Sequence, residues 1–198
     1  KPSALHIGSL ATIIEPGASA LFDWAVRVCE CAPIIFDPNV RPQALGDRRK
    51  YLNIFERWAS ISTVIKASVE DLAWLYPGQP ISEVSTQLIE DGIQLLLITR
   101  GAQGMSAITR EGSVEIKAVA AEVVDTVGAG DSVGAVLVDS ILRNGILNLQ
   151  GPVLHKALNC AVHAAAITCS RVGAEPPTRS EIDAAIETAK ERRVNAVH

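Results

Sequence analysis

Val123-Val124-Asp125-Thr126-Val127-Gly128-Ala129-Gly130-Asp131-Ser132 passes from two β-branched residues through a polar pair into a small-residue turn and an aspartate. Apolar or small residues then recur at Val133, Val136, Leu137, Ser140 and Ile141, the period of a helix with one buried face. Composition and period together predict a strand, a tight loop and a buried helix. Glycines at a helix start do two things: they let an anion come close to the backbone, and they leave unpaired N–H groups pointing at it. Asp131 sets the stretch apart from a general phosphate loop. A carboxylate has the wrong charge for holding a phosphate and is the right group for taking a proton from a hydroxyl beside one.

Two plainer readings compete. Gly128, Gly130 and Gly134 also fit a loose dinucleotide-binding glycine pattern, which is weak alone. That fingerprint should follow the first strand of a βαβ unit and carry an acidic residue about 20 positions on. Here the following stretch is helical and ends at Arg143-Asn144-Gly145. A purely structural glycine turn is the other reading.

Composition narrows the class. With 198 residues, 48% hydrophobic and 20% charged, the chain can bury one sizeable core and is short for two domains. A net charge of −4 leaves no basic footprint for nucleic acid. No apolar run reaches the length of a membrane span and no signal peptide is visible. Cys29, Cys31, Cys160 and Cys169 sit in apolar, helix-like stretches without Cys-x-x-Cys spacing, which predicts buried free thiols and suits a reducing, cytoplasmic setting.

Outward from the glycine turn, strands and helices alternate. Ala4 to Ser9 reads as a buried strand. Gly17 to Cys31 places Leu21, Trp24, Ala25 and Val28 at helical spacing, and Pro33 stops it. Ile34-Ile35-Phe36 is a strand ending in Asp37-Pro38-Asn39-Val40-Arg41-Pro42, the kind of carboxyl end where open α/β sheets place ligands. Arg48 to Ala59 is a helix, Ser62 to Lys66 a strand, and Ile81 to Asp91 an amphipathic helix closed by Gly92. Leu95 to Thr99 is the most apolar strand, as befits the middle of a parallel sheet covered on both faces. Met105 to Thr109 and Ser113 to Ala118 form a hairpin. His155 to Thr168 is an alanine-rich helix whose two histidines, His155 and His163, read as surface or packing residues. Thr178 caps the last helix.

Asp125-Thr126-Val127-Gly128-Ala129-Gly130-Asp131 resembles the D-T-x-G-A-G-D signature of the ribokinase-like (PfkB) carbohydrate kinases, and the likeness runs to the end of the chain. The resemblance implies a three-layer α/β ribokinase fold, Rossmann-like, with a mostly parallel sheet and helices on both faces. It implies that residues 1–198 are the C-terminal portion of the large nucleotide-binding domain. The first third of such a kinase, with its lid sheet and Gly-Gly-rich sugar site, would then be absent, and the isolated piece inactive.

Roles follow by resemblance. Asp131 is the catalytic base, and Gly128, Ala129 and Gly130 form the anion hole. Val133 replaces the family's usual aromatic, a packing change. Asp37, Asn39 and Arg41 match D-x-N-x-R, whose arginine reaches the sugar or the phosphates in some members; bracing of the turn is the equal alternative. Ser68 and Asp71 stand where N-x-x-E positions hydrated magnesium, with Glu70 the carboxylate in another register and an ordinary acidic first turn the plain reading. Thr99, Gly101 and Gly104 match a T-x-G-x-x-G turn beside the nucleotide, and Asn159 a position near the adenine. Backbone at Asp125 and Val127, with the loop Ser170 to Ala174, matches a cradle for a monovalent cation such as potassium.

The activity implied is ATP-dependent phosphorylation of a sugar hydroxyl, with ATP and Mg2+ required. Fructose leads because Ile65-Lys66-Ala67-Ser68 resembles fructokinases. Ribose, 2-keto-3-deoxygluconate or a nucleoside are the sister acceptors, and a noncatalytic nucleotide-binding module is the alternative of another class. The expected partners are small molecules, a homodimer being allowed.

Overall fold

The computed structural model describes residues 1–195 and resolves into two compact units, residues 1–100 with 106–113, and residues 101–105 with 114 onward. Six strands lie in chain order in one sheet: β1 (Leu5–Gly8), β2 (Ile34–Asp37), β3 (Val64–Ser68), β4 (Leu95–Thr99), β5 (Met105–Thr109) and β6 (Gly112–Ile116). β1 to β4 pair in parallel, with Gly8 opposite Asp37, Phe36 opposite Ile65 and Ser68 opposite Thr99. All four carboxyl ends therefore lie along one edge.

In the first unit the connections are helical: α1 (Gly17–Val28), a single turn α2 (Pro42–Leu45), α3 (Arg48–Ala59), α4 (Val69–Leu75) and α5 (Ile81–Glu90). Side chains alternate across the strands. Ile34, Phe36, Ile65, Ala67, Leu96 and Ile98 pack with Phe22, Phe55, Trp58, Leu72 and Leu88 of these helices. Ile35, Val64, Leu95 and Leu97 point to the opposite face and are buried as well. Burial on both faces is why β2 and β4 read as unbroken apolar runs. Aromatic contacts tie α1 and α3 to β2: Trp58 stands edge-on to Phe22 at 5.1 Å and stacks on Phe36 at 6.0 Å.

Local chemistry starts and stops these helices. Asp47 accepts from the amides of Arg49 and Lys50 and so caps α3. Ser68 and Asp71 form a reciprocal capping box on α4.

The second unit contains α6 (Ala129–Asn144), α7 (Gly151–Cys169) and α8 (Arg179–Asn195). α6 and α7 join through a buried contact between the Ser132 and Thr168 hydroxyls at 2.7 Å. Cys160, Ala164 and Ile182 pack with Val136, Ile167 and Ile186 to join α7 and α8. Thr178 accepts from the Glu181 amide while Glu181 accepts from the Thr178 amide, a second reciprocal cap. No helix among the described residues is long and apolar enough to cross a membrane.

Five sequence expectations are corrected. Val123 and Val124 form no strand and are 62% and 56% exposed, since among the described residues the backbone acceptor their segment finds is the Cys169 carbonyl at the end of α7. β1 is half-buried, because it is an edge strand with a single neighbour. Trp24 faces outward while Phe22, Ala25 and Val28 carry the buried stripe of α1. Cys29 and Cys31 are exposed, because α1 ends at Val28 and both fall in the turn beyond it; Cys160 is buried, Cys169 half-buried, and all four thiols are free. α7 begins at Gly151, one turn before His155, with Pro152 in its first turn.

Candidate active site

Around the glycine turn, long-range hydrogen bonds in the second unit build a rigid loop. The Asp125 carboxylate accepts from two amides, Val127 N–H at Oδ1 and Gly173 N–H at Oδ2, each at 3.0 Å. The amides of Val124 and Asp125 both donate to the Cys169 carbonyl, at 2.8 and 3.2 Å. Gly128 adopts φ +81°, a left-handed conformation reserved for glycine, and caps α6. A Cβ on Gly128 would lie 2.7 Å from the Ala174 Cβ, so the two loops can meet only because this residue has none. The left-handed turn thus falls on Gly128, and Gly130 lies within the first turn of α6.

The Ala129 amide donates to the Thr126 carbonyl at 3.3 Å, whereas the amides of Gly128, Gly130 and Asp131 meet no acceptor among the described residues. Asp131 is exposed in the first turn of α6, and its carboxylate makes no hydrogen bond or ion pair among the described residues. A free carboxylate therefore stands beside three unsatisfied donors at the positive end of a helix of 16 residues. The carbonyls of Asp125 and Val127 accept no backbone hydrogen bond among the described residues and remain open to a cation.

The two amides hold the Asp125 carboxyl below the ordinary carboxylate range, Val127 contributing most and Gly173 next, against a small opposing effect of burial. A depressed folded-state value means the stabilisation is complete above the unfolded value of about 3.9 and is lost as pH falls through the folded one. Amide hydrogen exchange should show Val127 and Gly173 losing protection only below about pH 4. Asp125→Asn should lose protection at one of the two amides already at pH 7, because a carboxamide keeps a single acceptor oxygen. Full protection of both amides in that variant would assign the loop's rigidity elsewhere.

In the first unit the carboxyl ends of β2 and β3 carry the other polar cluster. The Lys66 ammonium is paired with Asp37 Oδ2, and both side chains are buried. Burial pushes the Asp37 carboxyl up, opposed by Lys66 and reinforced by the nearby Asp71. Asp71 accepts from Val40 N–H at 2.8 Å through Oδ1 and from Ser68 N–H at 2.9 Å through Oδ2. Each oxygen of its carboxylate thus holds one backbone amide, and Glu70, exposed in the same helical turn, makes no hydrogen bond or ion pair among the described residues. Arg41 is exposed, and one guanidinium nitrogen donates to the Val40 carbonyl at 3.3 Å. Among the described residues no group of three or more His, Cys, Asp or Glu side chains could hold a metal. One free carboxylate fits a magnesium ion held chiefly by phosphate oxygens and water.

Thr99 closes β4 in the first unit, half-buried. Gly101 and Gly104, both in the second unit, have φ of +51° and +101°, and a Cβ on Gly104 would lie 2.1 Å from the Ile116 carbonyl oxygen. Close backbone approach therefore requires glycine at position 104. Asn159 is half-buried on α7, its carbonyl bonded to His163 Nδ1 at 2.7 Å. His163 is buried, as a packing residue would be. Two participants escape local reading, Tyr51 and Lys66. Lys66 has one sequence signal, its place inside the otherwise apolar strand Val64-Ile65-Lys66-Ala67, and Tyr51, whose hydroxyl donates to the Pro38 carbonyl at 2.8 Å, has none.

The family model described as pfkB family carbohydrate kinase matches residues 5–181. Among curated proteins the chain is similar to a fructokinase of Rhizobium leguminosarum bv. trifolii, 31% identical over 144 residues, covering 73% of this chain and 44% of that protein. It is also similar to probable fructokinase-6, chloroplastic, of Arabidopsis thaliana, 31% identical over 195 residues, covering 94% of this chain and 50% of that one. The chain thus spans about half the length of these relatives. The fold is that of the fructokinase with bound ATP from Xylella fastidiosa, with a TM-score of 0.86 at 23% identity, covering 95% of this chain and 62% of that chain.

Proposed function

We propose, from the premise that the chain belongs to the pfkB family of carbohydrate kinases, that the protein carrying it transfers the γ-phosphoryl group of ATP to a sugar hydroxyl. Fructose is the leading acceptor, a reading supported by the relatives named as fructokinases. The observation that carries it is the free Asp131 carboxylate beside the unsatisfied amides of Gly128 and Gly130.

In this reading the Asp131 carboxylate takes the proton of the acceptor hydroxyl. The resulting oxygen forms a bond to the γ-phosphorus as the bond to the β,γ-bridging oxygen breaks, and ADP leaves with that electron pair. The amides of the Gly128-Ala129-Gly130 turn receive the charge on the transferred group already oriented, those of Gly128 and Gly130 free of acceptors among the described residues and that of Ala129 shared with the Thr126 carbonyl. Arg41 offers a guanidinium to a phosphate or to the sugar. Thr99, Gly101, Gly104 and Asn159 line the nucleotide, and the carbonyls of Asp125 and Val127 hold a monovalent cation. Magnesium, when bound with ATP, neutralises phosphate charge, and Glu70 would hold its water shell in place of the amide-bonded Asp71.

A coupled ADP-release assay on the protein carrying this chain tests the proposal, with fructose, ribose, 2-keto-3-deoxygluconate and a nucleoside as acceptors. Fructose should give the highest kcat/KM. Preference for another acceptor would keep the kinase and move the substrate. Saturable ATP binding without ADP release for any acceptor would replace the kinase with a nucleotide-binding module.

A further inference from the structure

The ion pair of Lys66 and Asp37 lies where nothing about stability calls for one. Its side chains are 7% and 8% exposed, Asp37 at the carboxyl end of β2 and Lys66 in the middle of the neighbouring parallel strand β3. Desolvation of two charges commonly cancels their attraction, so a well-packed apolar pair would serve the core as well or better. The pair is also incompletely satisfied: Asp37 Oδ1 is buried with no hydrogen-bond partner among the described residues. A costly group at a ligand-facing sheet edge calls for a reason other than packing.

That reason lies in the turn Pro38-Asn39-Val40-Arg41, which Asp37 begins. Its backbone is held at several points. The Tyr51 hydroxyl donates to the Pro38 carbonyl at 2.8 Å, and Asp71 accepts from Val40 N–H at 2.8 Å. Asn39 sits at φ +39°, a left-handed conformation that a non-glycine residue keeps only when its surroundings impose it. On the adjacent strand, a Cβ at Gly8 would lie 1.7 Å from the Asp37 carbonyl oxygen, so the start of the turn is closely packed as well. Two of the fixing groups, Asp37 and Asp71, are carboxylates, and Asp71 is near enough to add to the burial that disfavours the charge on Asp37. Lys66 is the cation that opposes this burial at Asp37, and its directional bond to Oδ2 pins the first residue of the turn. At the far end of this clamped segment is Arg41, exposed.

We infer that Lys66 and Asp37 are a pair of positioning residues that fix the 38–41 turn and thereby aim the Arg41 guanidinium at an anionic or hydroxyl-bearing reactant. The inference rests on the kinase reading above. It assigns the pair to reactant binding, with no part in the proton transfer at Asp131.

The test is steady-state kinetics on the protein carrying this chain, with KM measured separately for acceptor sugar and for ATP. Lys66→Met alone leaves a buried carboxylate unpaired and should lower Tm. The double variant Asp37→Asn with Lys66→Met removes both charges and should return Tm to the wild-type value or above it. In that double variant the KM of the reactant held by Arg41 should stay raised about 10- to 100-fold, the scale of effect of a small misplacement, with kcat within about threefold. Arg41→Ala should raise the same KM, and adding it to the double variant should raise that KM no further. Which KM responds tells whether Arg41 meets sugar or phosphate. Recovery of KM together with Tm would make the pair merely structural and overturn the inference, as would independent, additive effects of Arg41→Ala. Wild-type protein that releases no ADP would instead overturn the kinase reading, and this inference with it.

Discussion

Asp131→Asn in the protein carrying this chain is expected to lower kcat about 10²- to 10⁴-fold, the usual contribution of a general base, while ATP affinity changes little. Asparagine keeps the shape of the side chain, and the amides around it are untouched, so the anion-binding turn persists. What disappears is a group able to accept a proton. Asp131 is exposed and makes no hydrogen bond or ion pair among the described residues, so the substitution breaks no packing. The folded state loses only the favourable placement of a negative charge at the start of α6, about 0.3–1 kcal/mol. Kinetics and thermal melting together separate the two effects. A variant with wild-type kcat would remove Asp131 from the chemistry.

Gly128→Val should have the largest structural effect of any single change in the turn. Two costs act together: valine must adopt the φ of +81° that glycine holds, and its Cβ must occupy space 2.7 Å from the Ala174 Cβ and 2.8 Å from the Ala174 Cα. Backbone strain of this kind costs about 1–3 kcal/mol, and overpacking adds a similar amount. Relief requires the 125–128 and 170–174 loops to part, which breaks the Asp125 to Gly173 hydrogen bond and turns the free amides away from a common point. Calorimetric titration with a nonhydrolysable ATP analogue should show affinity falling more than about tenfold, since loss of one charge-assisted hydrogen bond already costs about 1.5–3 kcal/mol. Gly128→Ala combined with Ala174→Gly removes the collision and keeps the φ problem, so it should recover part of the loss. Wild-type affinity in Gly128→Val would mean that nucleotide binding does not depend on this turn.

Elements held by short-range patterns were legible without a structure. α3 from Arg48 to Ala59 and β4 from Leu95 to Thr99 have the bounds their periodicity predicts, because a capping aspartate, a helical stripe and an apolar run are all written within a few residues. The parallel α/β order follows from strands alternating with helices, and Asp131 in the first turn after a glycine cap follows from the seven residues before and around it. Other features depend on partners far along the chain. Val123 and Val124 have strand composition but pair with no strand among the described residues, so they remain an exposed connection. Lys66 is buried only because Asp37 meets it from 29 positions away, and one oxygen of Asp71 is occupied by the Val40 amide 31 positions away. Asp125 becomes the clasp of the anion loop through Gly173, 48 positions on. A local window records the preferences of the backbone and the period of a buried face. Which carboxylate is spent on the backbone and which stays free is set by tertiary contacts, because a hydrogen-bonding group's availability depends on every donor that folding brings to it.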